Sequence, residues 1–236
     1  MSNGTDSYIV AGRQPWNRKH FSEVLHDLPG NWYFAETSEE LLDQLAEIAK
    51  PRFIFFLHWS EKVPESIVDK IECVCFHMTD LPFGRGGSPL QNLISRGITE
   101  TKITAIKMTG DFDAGSIYKK RDLSLKEGNA YEIYQRASLI SCEMVKEICS
   151  EYPTPKSQEG PVTVFRRRKP EESDLSSASV SSLRALHDHI RMLDAPGYPH
   201  AYIDIAHFRI QFSSSQFNGN EIKVNATIKN IPSFDS

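Results

Sequence analysis

A histidine that closes an alternating apolar run, glycines and an arginine just beyond it, and an aspartate in a later turn are the side chains here with the types and spacing for chemistry. The first group lies in IECVCFHMTDLPFGRGGSPLQ, Ile71 to Gln91, and the second in DFDAG, Asp111 to Gly115. A histidine and a carboxylate on neighbouring loops make a base and its orienting partner, which nominates His77 and Asp113. A histidine ending a strand is, taken alone, an ordinary satisfied polar residue; its spacing to Pro82, Arg85-Gly86 and Asp113 is what singles it out. Gly84, Gly86 and Gly87 form neither GxGxxG nor a Walker loop, so no dinucleotide or nucleoside triphosphate is inferred from them. No cluster of His and Cys has ligand spacing, and no metal is expected.

The elements that must hold these groups read as an α/β domain. SYIVAG (Ser7 to Gly12) is a buried strand, Trp16 to Leu28 has helical spacing, Asn31 to Ala35 is a second strand, and Thr37 or Ser38 caps a helix through Leu41, Leu42, Leu45 and Ile48. FIFFL (Phe53 to Leu57) is apolar throughout, as a central strand of a parallel sheet must be. Pro64 to Lys70 is a short helix, and the Cys73 to His77 strand follows. The rhythm predicts a Rossmann-like, mostly parallel sheet with helices on both faces. Further on come a helix from Ser88 to Ser95, a strand from Lys102 to Met108, an antiparallel addition from Ser116 to Leu123, and a long helix from Asn129 to Tyr152.

A catalytic domain is expected over 1–152, a linker and charged loop containing RRRKPEESD over 153–179, and a small α+β extension over 180–236. The extension reads as a helix from Ser182 to Leu193 and three antiparallel strands at 201–205, 207–212 and 221–229.

Composition narrows the class. With 39% hydrophobic and 25% charged residues in 236, the chain is globular. Its net charge of −4 argues against a strongly basic nucleic-acid surface. No run of about 18 apolar residues and no signal-peptide pattern occur, so a cytoplasmic protein without a membrane span is expected. Cys73, Cys75, Cys142 and Cys149 fit no disulfide or CxxC pattern and read as reduced thiols.

The strand ending in His77, the MTDLP turn of Met78 to Pro82, Arg85-Gly86 and DFDAG together resemble the folate-dependent formyltransferase family. That family includes methionyl-tRNA, glycinamide ribonucleotide and nucleotide-sugar formyltransferases. The resemblance implies the formyltransferase fold and transfer of a formyl group from 10-formyltetrahydrofolate to an amine. His77 would take the amine proton and Asp113 would orient His77. The family's asparagine, a donor to the developing oxyanion, falls at Cys75, and a thiol is a weaker donor. By the same resemblance Trp59, Ser60, Met78, Thr79, Gly110, Asp111 and Phe112 line the folate slot. Arg13, Gln14, Trp16 and Arg85 face the acceptor.

The tail with IRMLDAPGYPHAYI (Ile190 to Ile203) looks like that of bacterial nucleotide-sugar N-formyltransferases, so the expected acceptor is a nucleotide-linked amino sugar for glycan biosynthesis. Methionyl-tRNA or another amine is the alternative acceptor, and a folate-binding protein without catalysis is the alternative from another class. The tail helix and strands could also form a homodimer surface.

Overall fold

Phe53, Ile54, Phe55 and Phe56 are all buried, and the main sheet is assembled around them. The computed structural model describes residues 6–48, 50–178 and 180–231. In chain order the elements are β1 (Ser7–Ala11), α1 (Pro15–Val24), β2 (Asn31–Ala35), α2 (Ser38–Glu47), β3 (Phe53–Phe56), α3 (Glu65–Val68), β4 (Cys73–His77), β5 (Arg85–Gly86) and α4 (Pro89–Ile94). They continue with β6 (Glu100–Lys107), β7 (Ile117–Ser124), α5 (Ala130–Glu151), β8 (Val164–Phe165), a 3-10 turn (Pro170–Ser173), α6 (Leu183–Arg191), β9 (Ala201–Ile205), β10 (Phe208–Phe217) and β11 (Ile222–Asn230).

The chain divides into two compact units. One gathers 1–86, 101–123 and 135–164; the other gathers 87–100, 124–134 and 165–236. The large sheet has the order β2-β1-β3-β4-β6-β7. β1 runs parallel to β2 and β3, and β3 parallel to β4, as the apolar strands predict. The direction reverses at β6, which pairs antiparallel with β4 through Val74↔Lys107 and His77↔Thr104. The reversal therefore comes one strand earlier than the sequence pattern suggests.

That reversal positions the site. β6 ends beside the start of β4, where the Met108 N–H donates to the Cys73 carbonyl at 2.8 Å. The following loop must then fold back along the face that carries Cys73, Cys75 and His77, side chains that alternate onto one side of the strand. Gly115 shows how closely the loop passes: a Cβ there would lie 1.7 Å from the Lys107 carbonyl oxygen.

The core of this unit packs Ile9, Ala11, Ile54, Phe56 and Cys73 against Leu41 of α2 and Ile67 of α3. α2 starts where Thr37 accepts the Glu40 N–H at 3.1 Å, a cap worth about 1 kcal/mol. The Pro- and Ser-rich stretch after α5 is not a free tether. Ile117 and Lys156 exchange backbone hydrogen bonds of 2.7 and 2.9 Å, fixing it to β7. Its composition signals the lack of a helix or strand, which is a different property from a lack of contacts.

The second unit carries an antiparallel sheet of order β11-β10-β9, close to the three expected strands. The β10–β11 register shifts between Ser213 and Gln216, and there the Ser214 N–H donates to Asp194 Oδ2 at 2.8 Å. Ser182 caps α6 by accepting the Ala185 N–H at 3.1 Å. Gln91 of α4 donates to the Tyr134 hydroxyl at 3.0 Å and to the Met192 carbonyl at 2.9 Å. RRRKPEESD holds the 3-10 turn, over which Arg166 pairs with Glu172 at 2.7 Å.

Candidate active site

His77 ends β4 and is 9% exposed, with oxygen acceptors at both ring nitrogens. Nε2 lies 2.8 Å from the Gly84 carbonyl oxygen, and Nδ1 lies 3.4 Å from Asp113 Oδ1. A carbonyl oxygen can only accept, so Nε2 carries the hydrogen in that bond. Nδ1, protonated or bare, faces the carboxylate. In neither state is a ring lone pair turned toward an incoming amine, so a base role for His77 requires the Gly84 contact to open. The Gly84 carbonyl is held in place from both sides of the turn. Thr79 Oγ1 donates to it at 3.3 Å, and the Gly84 and Arg85 N–H groups donate to the Thr163 carbonyl at 3.0 and 2.9 Å.

Asp113 has a φ of 54°, a left-handed conformation that costs an ordinary residue roughly 1–2 kcal/mol. Fixed bonds hold it there. The Gly86 N–H donates to its Oδ2 at 2.9 Å, and Gln158 Nε2 donates to its backbone carbonyl at 2.8 Å. Cys75 lies on the same face of β4, two residues before the histidine. Burial pushes its thiol well above the usual range, and the nearby Asp113 charge pushes the same way, so it stays a neutral thiol.

The other expected site residues separate into exposed and interior groups. Ser60, Gly110 and Asp111 are exposed, and Phe112 is 78% exposed. Trp59 packs edge-on against Phe56 at 5.7 Å, and its indole N–H is buried without an acceptor. Met78 and Thr79 are interior, and the Thr79 carbonyl accepts Thr104 Oγ1 at 2.6 Å.

Arg13 is exposed and paired with Glu61, and Gln14 is the N-cap of α1. Trp16 is 3% exposed and packs edge-on against His58, its position inside the first turn of α1 turning the ring into the core. Arg85 donates through Nε and Nη2 to Gln158 Oε1 at 3.1 and 2.8 Å. His58, with φ of 51°, is lowered by burial to about 4 and is neutral near pH 7. Gln158 and the Gly84 carbonyl were not anticipated. One sits in a stretch whose composition says only loop, and the other is a backbone atom that sequence does not mark.

A solved methionyl-tRNA formyltransferase from Clostridium thermocellum is 42% identical, with a TM-score of 0.87, covering 95% of this chain and 99% of that one. The chain belongs to the formyltransferase family. A methionyl-tRNA formyltransferase of Mesoplasma florum is 28% identical over 200 residues, covering 81% of this chain and 63% of that protein. This formyltransferase chain thus spans less than two thirds of the length of the curated relatives it matches. Residues 170–229 match the family described as methionyl-tRNA formyltransferase, C-terminal domain. The fold is also that of HypX from Aquifex aeolicus, solved in complex with tetrahydrofolic acid, at 13% identity and a TM-score of 0.72 over 90% of this chain and 38% of that one. Among the described residues no helix is long and apolar enough to cross a membrane, and no three His, Cys, Asp or Glu side chains gather as a metal site.

Proposed function

We propose that this chain is an N-formyltransferase that moves a formyl group from 10-formyltetrahydrofolate to an amine. The observation that carries the reading is the His77–Asp113 pair beside the Gly86 N–H, in a chain 42% identical along almost its whole length to a protein named methionyl-tRNA formyltransferase. The donor brings the activated formyl carbon; the protein's part is to place it, accept the amine proton and meet the charge that develops on the formyl oxygen.

Asp113 orients His77. When an amine enters, His77 gives up the Gly84 contact and carries its ring hydrogen on Nδ1 facing Asp113, which leaves Nε2 bare to accept the amine proton. Cys75, a neutral thiol, is the weak donor at the oxyanion position. The buried, unpaired indole N–H of Trp59 is a donor that fits the polar edge of a pteridine, and Ser60, Gly110, Asp111 and Phe112 give that slot an open rim. The side chains that meet the reacting atoms belong to the catalytic domain of residues 1–152, with 153–179 as the linker and charged loop and 180–236 as an appended subdomain.

Methionyl-tRNA is the acceptor best supported, because the relatives from Clostridium thermocellum and Mesoplasma florum carry that name. The second reading is a nucleotide-linked amino sugar. It is favoured by the net charge of −4, an unpromising surface for a polyanion. Tetrahydrofolate release should be followed with methionyl-tRNA and with a panel of nucleotide-linked amino sugars, in the wild type and in His77→Ala. Release with one acceptor, abolished by the substitution, establishes the reaction and chooses the acceptor. Folate binding with no release for any amine replaces the reading with a binding protein that has lost its chemistry. The protein acts in the cytoplasm and as a homodimer; a monomer by light scattering at micromolar concentration removes the second point.

A further inference from the structure

We infer that Gln158 is a positioning residue for the His77–Asp113 pair, acting as a clasp between Arg85 and the loop that carries Asp113. The inference rests on the formyl-transfer reading for its kinetic arm. All four hydrogen-bonding positions of the Gln158 amide are used. Nε2 donates to the Asp113 carbonyl at 2.8 Å and to the Gly115 carbonyl at 2.9 Å. Oε1 accepts from Arg85 Nε at 3.1 Å and from Nη2 at 2.8 Å. Turning the amide over would set its nitrogen against two donors and its oxygen against two acceptors, so only one orientation satisfies the site.

Each partner bears on the reacting centre. The Asp113 backbone is left-handed, and its carbonyl must be held for the carboxylate to reach His77 Nδ1 and the Gly86 N–H together. Gly115 is the close-approach point against Lys107, so the two carbonyls gripped by Gln158 flank the tightest part of the loop. Arg85 precedes Gly86 directly, so fixing its side chain also steadies the strand that supplies the N–H to Asp113. Arg85 is also a residue expected to face the acceptor, so the clasp joins that residue to the loop that carries Asp113.

No other residue type reproduces this. Glutamate would keep the pairing with Arg85 but set a carboxylate against two carbonyl oxygens, alanine would leave all four groups without partners, and a shorter asparagine would not reach both sides at once.

The test uses the full chain with Gln158→Ala and Gln158→Glu, read in two independent ways. In turnover, both variants should lower kcat by about 10- to 100-fold while KM for the formyl donor moves less than about threefold. Combining Gln158→Ala with Arg85→Ala should cost no more than the worse single change, since the two side chains act as one unit. In NMR of the resting protein with 15N-labelled histidine, Gln158→Ala should shift the His77 Nδ1 signal toward its position in Asp113→Asn, with thermal unfolding still cooperative.

Wild-type kcat together with an unmoved His77 signal in a folded Gln158→Ala protein overturns the clasp. If the wild type turns over no acceptor, the transferase reading has failed. The NMR arm then decides the clasp alone, a shift supporting it and no shift overturning it. If Gln158→Ala fails to fold, Gln158→Glu carries both readouts, and wild-type values there overturn the inference.

Discussion

Around His77, short stretches from β4, β5, the Asp113 loop and the segment after α5 are tied by side-chain and backbone hydrogen bonds; along β11, nearly every residue is exposed. In the first region the positions of single oxygen and nitrogen atoms are set by several bonds each. In the second, Ile228 is 65% exposed, Ile205 and Phe208 on the neighbouring β9 and β10 are 54% and 47% exposed, and the strands are held mainly by the backbone ladder and a few anchors such as Asp194. The contrast teaches where specificity for geometry is spent: the reacting groups are over-determined, whereas the outer sheet leaves its side chains free to vary.

The contrast breaks if substitutions in the two regions have similar effects. The largest effects should come from His77→Ala and Asp113→Asn, each expected to lower kcat by ~10²- to 10⁴-fold in the tetrahydrofolate-release assay with folding retained in circular dichroism. Gly115→Ala follows, because its Cβ would overlap the Lys107 carbonyl; a loss of about 3 kcal/mol in urea unfolding is expected, and a wild-type midpoint would show that the loop yields.

Cys75→Asn runs the other way. It supplies the amide donor that the thiol lacks, and kcat should rise by ~10-fold, unless the buried position rejects the larger polar group and the folded yield drops.

A smaller effect compares the two units through one histidine each. His58 in the first unit is lowered by burial to about 4. His189 in the second is lowered to about 4 by burial and by the charge of Arg168. Between an unfolded value of about 6.5 and a folded value near 4, the unfolded chain binds protons that the folded chain does not, so stability falls as pH falls through that window. His58→Gln and His189→Gln should each flatten part of this acid slope, measured as unfolding midpoints at steps from neutral pH downward. Equal slopes in all three proteins would show that neither histidine contributes. The smallest change should be Ile228→Lys, which is expected to move stability by no more than about 0.5 kcal/mol. A larger loss, or a change in molar mass in light scattering, would show that the exposed sheet is a covered surface.

Much of the sheet was legible because burial on both faces forces an uninterrupted apolar run, as at Phe53–Phe56, and α2 was legible because Thr37 or Ser38 reads as a cap. His77 and Asp113 were legible as a pair because their motifs are local and distinctive. The reversal at β6 was not, since strand direction depends on which neighbour a strand finds and leaves no periodic mark. The burial of Trp16 was not legible for a similar reason: it follows a strand and an exposed arginine, while the start of α1 at Pro15 turns its ring inward. Gln158 joins groups far away in sequence, and its value comes from four partners that only the folded chain assembles.

The carbonyl of Gly84 has a consequence for pharmacology. It already occupies the acceptor position at His77 Nε2, so the protein carries its own competitor for that nitrogen. A compound bearing an oxygen aimed at His77 gains only the difference between two similar hydrogen bonds, less whatever it costs to move the Gly84 turn. Tight inhibitors should therefore be sought among molecules that leave this bond intact and draw their affinity from other contacts.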